Sequence, residues 1–334
     1  MFPKSCQEID PIGDLKTMTD VNSKVRLAIV GSVALDTIET PYESGSDLLG
    51  GSVSYACAAA SFFTRVGMVG VVGNDFDDKH TDLYSKFGID ITGLQKVEGK
   101  TFKWSGVYDD DMINRRTVST ELNVFESFSP KLPECYVDAP FILLGNISPR
   151  LQLEVLSQIK NPVFVAADTM DLWIDVARGE LMEVISKVNM LLVNDSEARR
   201  LTGEYNLKVC ADRILSMGPD YVVIKKGEHG AMLFSKEGIF IIPAYPVADV
   251  KDPTGAGDSF AGGFMGVLSR RDSFDERSLR GALLYGSVVA SFGVETFSLN
   301  RYESLNLLDI EKRRNELVEM TSACGGRDDN PAIR

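Results

Sequence analysis

Short apolar runs alternate along this chain with longer segments of helical periodicity. The runs that predict buried strands are Val25–Val30, Phe141–Leu144, Val163–Ala167, Met190–Val193 and Tyr221–Ile224. An alanine-rich helix is predicted at Val53–Phe63, where small side chains permit close packing on a sheet. Because strands that alternate with helices are typical of a parallel sheet covered on its faces, the pattern predicts an α/β fold.

Residues 93–123 interrupt this alternation. Two β-prone stretches, Thr101–Tyr108 and Arg116–Thr120, flank the acidic turn Asp109–Asp111. This pattern predicts a hairpin or small sheet set off from the main body. We therefore expect a single domain over 23–321.

The ends of the chain and its composition limit the possible functions. We expect a polar extension at 1–22 and a polar tail at 322–334. The formal net charge of −13 opposes binding to nucleic acid, and apolar runs far shorter than the ~20 residues of a membrane span argue against insertion. With no apolar leader segment at the N-terminus, a cytoplasmic protein is expected.

Cysteine and histidine usage argues against a disulfide framework and a transition-metal site. The chain has 5 Cys, an odd number with no C-x-x-C pair, and 2 His outside any metal-binding pattern.

The segment Asp252–Gly263, which reads D-P-T-G-A-G-D-S-F-A-G-G, is the most informative for chemistry. The small residues Gly255, Ala256 and Gly257 precede Asp258 at the start of a predicted helix. Backbone N–H groups at such a helix start attract anions, and glycine lets a phosphate approach closely. Asp258 could accept the proton of an attacking hydroxyl while the amides stabilise a transferred phosphoryl group. The alternative is a glycine-rich turn in which Asp258 serves as a helix cap.

Four motifs in order resemble those of the ribokinase family of carbohydrate kinases, the PfkB type, over roughly residues 25–300. They are Asp252–Phe260, the pair Gly50–Gly51 leading to Val66–Asp75, Asn194–Glu197, and Lys226–Gly230. The family also contains adenosine kinases and bacterial minor phosphofructokinases. The resemblance implies a doubly wound, mostly parallel sheet flanked by helices, with a small β lid over the substrate.

The resemblance also implies ATP and Mg²⁺ as cofactors. Asn194 and Glu197 match an N-x-x-E motif that organises magnesium, directly or through water, and phosphate. Taken alone, the same pair is equally an N-cap followed by a first-turn acid. Lys226, Gly227 and Gly230 resemble the loop that approaches the nucleotide.

Further positions concern the acceptor and a possible monovalent cation. Asp36, Gly50 and Gly51 match residues that bind the sugar in relatives. Asp252 and Thr254 match positions that shape a potassium site in many relatives, although they could simply shape the turn.

The predicted function is ATP-dependent phosphorylation of a hydroxyl group on a small sugar or sugar-like molecule, with Asp258 as base and Gly255–Asp258 as anion hole. A nucleoside kinase is the alternative, and a catalytically silent nucleotide-binding regulator is a third. Lids of this kind often pair between subunits in relatives, which implies a homodimer.

Two departures from the ribokinase pattern concern substrate choice. Ribokinases commonly carry Asn where this chain has Ala34 and Tyr55, and both asparagines hydrogen-bond the sugar. We expect free ribose to be a poor substrate, because each lost partner weakens a small polyol by ~1–3 kcal/mol. Tyr55 instead offers a ring and one hydroxyl to a larger or aromatic substrate, or else turns into the core beside Phe62 and Phe63.

Overall fold

The computed structural model describes residues 24–112, 114–270 and 274–322. The predicted extension at 1–22 and nearly all of the predicted tail at 322–334 lie outside them. Within these ranges, no helix combines the length and the apolar character needed to cross a membrane.

The strands follow the predicted runs closely. In chain order they are β1 (Leu27–Val30), β2 (Ala34–Glu39), β3 (Ser44–Gly50), β4 (Val66–Val72), β5 (Asp90–Lys96), β6 (Phe102–Tyr108), β7 (Arg115–Glu121), β8 (Phe141–Leu144), β9 (Phe164–Asp168), β10 (Met190–Asn194), β11 (Tyr221–Lys225), β12 (Ala231–Ser235) and β13 (Ile239–Ile242).

The helices fill most of the connections between strands. They are α1 (Ser52–Ser61), α2 (Asp78–Lys86), α3 (Glu134–Val137), α4 (Pro149–Leu156), α5 (Asp171–Val176), α6 (Arg178–Ile185), α7 (Asp195–Thr202), α8 (Leu207–Ser216), α9 (Ala256–Leu268), α10 (Glu276–Gly293), α11 (Asn300–Glu303) and α12 (Leu307–Thr321). Short 3₁₀ turns lie at Asn123–Ser127 and Gly227–His229.

In the described part of the chain, nine strands form the main sheet in the order β13-β12-β11-β10-β9-β8-β1-β4-β5. In this order, every pair of neighbouring strands between β11 and β5 is parallel. Strand β12 is antiparallel to β11, and β13 is antiparallel to β12. Strands β4 and β5 lie on one side of β1, and β8 and the later strands of this sheet lie on its other side. The predicted doubly wound, mostly parallel sheet is confirmed, and its topological switch point lies at the carboxyl ends of β1 and β8.

Two apolar cores cover the two faces of this sheet. Along β1, Leu27 and Ile29 belong to one core, and Ala28 and Val30 belong to the other. The first core includes residues of α1, α9, α10 and α12, and the second includes residues of α4, α6, α7 and α8. Burial on both faces explains why these strands are continuous apolar runs.

A second sheet, ordered β3-β2-β6-β7, contains the segment predicted to form a lid, and we call this four-stranded sheet the lid. Its strands β6 and β7 come from the predicted segment 93–123, whereas residues 93–96 belong to β5 of the main sheet. Strands β2 and β3 come from residues 34–50, which the sequence pattern did not assign to the lid. The lid therefore contains Asp36 as well as the predicted hairpin.

Helix α9 packs against α1 through small residues. A methyl group at Gly262 would lie 2.1 Å from the Ala56 carbonyl oxygen, and one at Gly266 would lie 2.9 Å from the Ala60 Cα. The predicted stripe of Phe260, Phe264 and Leu268 is buried. Backbone-to-backbone contact of this kind leaves α9 little freedom to shift.

We predict that Gly262→Ala lowers the free energy of unfolding by about 1–3 kcal/mol, because the methyl group must push α9 away from α1. Gly281→Ala in α10 is the matched control, since no atom outside its chain neighbours and its own helix backbone lies within 4 Å of the added methyl group. There the alanine should stabilise by up to about 1 kcal/mol through its helix propensity. Urea unfolding of both variants measures the difference; equal stabilities would contradict the close packing.

Candidate active site

The predicted anion hole lies at the first turn of α9, near the carboxyl edge of the main sheet. Gly255 is the N-cap and adopts a left-handed conformation with φ 75°. A side chain there would also collide with the Tyr55 ring, 2.3 Å from the nearest ring atom. Glycine is therefore required at this position both by its backbone conformation and by its packing.

The backbone amides of this turn are not equivalent. The Ala256 N–H donates to the Pro253 carbonyl oxygen at 3.2 Å, and the Ser259 N–H donates to the Gly255 carbonyl oxygen at 2.8 Å. Of the predicted donors Gly255–Asp258, Ala256 therefore already has a protein partner. Gly255 and Gly257 are the amides best placed to bind an anion at the positive end of the helix dipole.

Asp258 stands in the first turn of α9 beside other buried charges. Burial, with the nearby charge of Asp168, raises the pKa of Asp258 to about 7, although Lys225 and Arg115 oppose the shift. A carboxyl group that titrates near neutral pH suits a general base.

Asp36 on β2 reaches into the same region from the lid. Its side chain occupies the space that a Cβ at Gly50 would fill, since that Cβ would lie 1.9 Å from Asp36 Oδ2. Burial, with the charges of Asp252 and Asp258, raises the pKa of Asp36 to about 8. Gly51, with φ 88°, would place a Cβ 2.3 Å from the Ser32 carbonyl oxygen.

Asp252 and Thr254 connect the anion hole with the lid. The Asp252 Oδ1 accepts a hydrogen bond from the Thr254 N–H at 2.9 Å, and Asp252 Oδ2 is buried with no protein partner among the described residues. The Thr254 hydroxyl bonds to the Tyr108 hydroxyl of β6 at 3.0 Å. Burial raises the pKa of Asp252.

Tyr55 lies beneath this cluster, with its ring against Gly255, and it belongs to the same buried core as Phe63. The side chain is buried, and its hydroxyl has no hydrogen-bond partner among the described residues. Burial, together with the charges of Asp252 and Asp36, raises the pKa of Tyr55. The phenol group is thus directed at the acidic cluster.

Asn194 and Glu197 form the capping box of α7. The Asn194 Oδ1 accepts from the Glu197 N–H at 2.8 Å, and Glu197 Oε2 accepts from the Asn194 N–H at 2.7 Å. Burial raises the pKa of Glu197 to about 7, although Lys225 opposes the shift. The box uses Glu197 Oε2 and not Oε1, so the capping interpretation does not exclude a role for Glu197 in holding a hydrated Mg²⁺ ion.

Lys225 ends β11 and forms a largely buried ion pair with Asp168 at the end of β9. The Lys225 Nζ and Asp168 Oδ2 are 2.8 Å apart, with side-chain exposures of 15% and 5%. Burial alone would lower the pKa of Lys225, but Asp168 and Glu197 more than offset it, so the pKa is raised and the ammonium stays charged.

The loop after β11 contains the predicted nucleotide-binding residues. Lys226 N–H donates to the Gly230 carbonyl oxygen at 2.8 Å, which closes a tight turn over Gly227. Gly230 has φ 91°, and a Cβ there would lie 2.0 Å from the Ile242 carbonyl oxygen. The loop is exposed at Gly227 and follows Lys225 directly, so it borders the site.

The inner face of the lid carries aromatic and basic side chains. Trp104 of β6 lies directly beside Asp36 in the parallel register of β2 and β6, and Arg115 of β7 lies opposite Tyr108. The Arg115 guanidinium lies 5.7 Å from the centre of the Trp104 ring. Its charge lowers the pKa of both Asp36 and Asp258, so it faces the acidic cluster.

The sequence analysis did not predict roles in the site for Asp168, Lys225, Trp104, Tyr108 and Arg115. Asp168 and Lys225 each follow the last apolar residue of a predicted parallel strand, and open α/β sheets place their sites at that edge. That rule could have identified Asp168 and Lys225 from the sequence. It could not identify the lid residues, because the direction of their side chains depends on how β6 pairs with β2.

The model of the pfkB family carbohydrate kinases matches residues 26–303. This chain belongs to the pfkB family. It is an ATP-dependent kinase that transfers a phosphoryl group to a hydroxyl, and kinases of this family use ATP with Mg²⁺.

Relatives within the pfkB family include nucleoside and sugar kinases. The chain is 31% identical over 258 residues to a cytidine kinase of Thermococcus kodakarensis, covering 75% of this chain and 91% of the relative. It is 25% identical over 309 residues to a ribokinase of Haemophilus influenzae, covering 85% and 98%. The crystal structure of a Methanocaldococcus jannaschii nucleoside kinase superposes with a TM-score of 0.71 at 22% identity, covering 88% of this chain and 99% of that one.

We predict that this pfkB-family kinase loses kcat/KM as the pH falls below about 7, because protonated Asp258 cannot accept the hydroxyl proton. Asp258→Asn should lower kcat by ~10²–10⁴ while leaving ATP binding nearly intact. Steady-state rates between pH 5.5 and 8.5 measure both effects.

Glu197→Gln is the control for that profile, because Glu197 has a similarly raised pKa of about 7. The fall in kcat/KM at low pH should persist in Glu197→Gln. Loss of this pH dependence in Glu197→Gln, or near-normal turnover in Asp258→Asn, would contradict the assignment of the base.

Proposed function

We propose that this kinase phosphorylates a hydroxyl group of a nucleoside, with Asp258 as the base. The observation that supports this most directly is the position of Trp104 beside Asp36 on the inner face of the lid. One residue suits hydroxyl groups and its neighbour suits an aromatic base.

Asp36 is suited to the ribosyl part of such a substrate. A carboxyl group offers two oxygens to a pair of adjacent hydroxyls. Because its pKa is raised to about 8, Asp36 is largely protonated at neutral pH and can both donate and accept hydrogen bonds. Gly50 and Gly51 border it without side chains.

Trp104 is suited to the base. Base–aromatic stacking is worth about 1–3 kcal/mol per base and tolerates different bases. The hydroxyl of Tyr55, buried and without a protein partner among the described residues, supplies a further donor near Asp36. The 31% identity to a cytidine kinase agrees with this choice of acceptor.

A small sugar is the second candidate. Asp36 would grip the hydroxyls of a free sugar equally well, and the chain is 25% identical to a ribokinase over most of its length. Ala34 and Tyr55 replace two sugar-binding asparagines of ribokinases, which favours the nucleoside.

The reaction needs an aligned phosphoryl group as well as an aligned hydroxyl. In the proposed mechanism the Gly255 and Gly257 amides bind the transferred phosphoryl group, and Asp258 takes the proton from the attacking oxygen. Lys226, Gly227 and Gly230 border the nucleotide. Asn194 and Glu197 would hold Mg²⁺ through water, and the ion would neutralise phosphate charge.

Two further features complete the proposal. A monovalent cation such as K⁺ beside Asp252 and Thr254 would give the buried Asp252 Oδ2 a partner. The lid strand β7 is exposed along its whole length and has no second neighbour among the described strands. Because such an edge favours pairing with a second copy, we also propose a homodimer.

The substrate proposal predicts that kcat/KM is higher for cytidine and other nucleosides than for free ribose or inositol. Trp104→Leu should lower kcat/KM for nucleosides at least ~10-fold more than for free sugars, because only a nucleoside loses the stacking contact. Thr37→Ala is the matched control, since Thr37 is exposed on the opposite face of β2. Wild-type preference for ribose, or an equal effect of Trp104→Leu on both substrate classes, would contradict the proposal.

A further inference from the structure

Lys225 is a buried cation beside the anion hole, and no step of the proposed mechanism uses it. Its Nζ lies 3.3 Å from the position that a Cβ at Gly257 would occupy. The ammonium is therefore directed at the N-terminal turn of α9, on which the anion hole is built. The absence of a side chain at Gly257 keeps this approach open.

Carboxyl groups outnumber the ammonium around Lys225. Asp168 bonds to its ammonium at 2.8 Å, and Glu197 and Asp258 are close enough for their charges to act on it. One ammonium thus faces three carboxyl groups from β9, α7 and α9. Such a set keeps Lys225 charged, and the excess of carboxyl groups favours a phosphate that arrives together with Mg²⁺.

The donor capacity of Lys225 also exceeds its observed use. An ammonium group has three N–H donors, and the bond to Asp168 engages one. A buried ion pair is weak evidence for stability, because an apolar pair of similar volume is often at least as stable. Stability alone therefore gives no reason for a lysine here.

We propose that Lys225 is a further catalytic residue, whose ammonium donates hydrogen bonds to the phosphoryl group that is transferred from ATP. This proposal rests on the assignment of the anion hole to Gly255 and Gly257. Together, two amides and one ammonium enclose the oxygens of the phosphoryl group from two sides.

Lys225 donates no proton during the phosphoryl transfer. The acceptor oxygen forms a bond to the γ-phosphorus, and the bond from that phosphorus to the β-phosphate oxygen breaks. The hydroxyl proton passes to Asp258, and ADP leaves with the electron pair of the broken bond. Lys225 stays charged throughout, which agrees with its raised pKa, and its hydrogen bonds stabilise the charge on the transferred group.

Nucleotide affinity separates this role from a structural one. In Lys225→Met, affinity for the ATP analogue AMP-PNP should fall at least ~10-fold more than affinity for ADP, because only the former carries the γ-phosphoryl group. Titration calorimetry with Mg²⁺ present measures both. Equal losses for the two nucleotides would overturn the proposal.

Turnover and stability are measured in the same variants. We expect kcat of Lys225→Met to fall at least ~10²-fold, with partial recovery in Lys225→Arg. The double variant Lys225→Met/Asp168→Asn removes the unpaired buried carboxylate, so it should regain thermal stability without regaining kcat. Recovery of both would show a structural ion pair and overturn the proposal.

Lys187→Met is the matched control, since it removes a surface ion pair in which Lys187 Nζ lies 2.6 Å from Glu183. It should leave both affinities and kcat unchanged. If the wild type phosphorylated no nucleoside yet bound AMP-PNP through Lys225, the acceptor proposal alone would fail. Normal turnover of Lys225→Met beside an active wild type would overturn this proposal alone.

Discussion

The close contact of α9 with α1 is the constraint on which the active site depends. With no side chain at Gly262, the helix backbone comes so near α1 that an added methyl group would lie 2.1 Å from the Ala56 carbonyl oxygen. At the N-terminus of the same helix, Gly255 packs on the ring of Tyr55, which belongs to α1. Gly255 at the N-cap and Gly262 within α9 thus anchor the proposed catalytic turn to the core, so packing holds the amides of Gly255 and Gly257 in place.

Burial of this turn has an electrostatic consequence. Asp36, Asp252 and Asp258 are buried near one another, and burial raises the pKa of each carboxyl group. The positive charges of Lys225 and Arg115 oppose that rise at Asp258. The carboxyl group consequently titrates close to neutral pH, where a base is most effective. The same packing that positions the helix therefore tunes the residue at its first turn.

The main fold could be predicted from the sequence because strands that are buried on both faces form continuous apolar runs. Runs such as Met190–Val193 and Tyr221–Ile224 are apolar because both faces of the sheet are covered. The observed strands extend one residue further, to Asn194 and Lys225. Those last residues are polar because they leave the core at the carboxyl edge, and an apolar pattern cannot include them.

The proposed active-site turn could be named from the sequence because its residues are local in the chain. Gly255, Gly257 and Asp258 lie within four consecutive residues, so spacing alone suggested their joint role. The lid was only partly predicted. Strand β2 joins it by pairing with β6, whose partner residues lie 68 positions away, as between Asp36 and Trp104. No local pattern records such a pairing, and for that reason Trp104 and Arg115 were missed.

The central claim is that burial poises Asp258 to act as a base near neutral pH. Carbon-13 NMR of the aspartate carboxyl groups, with the Asp258 signal assigned by its absence in Asp258→Asn, measures this titration directly in the wild-type protein. A titration midpoint at about 7 is the predicted result. A midpoint near the ordinary value of 3.8 would contradict it, because burial of the α9 turn would then not tune its carboxyl group.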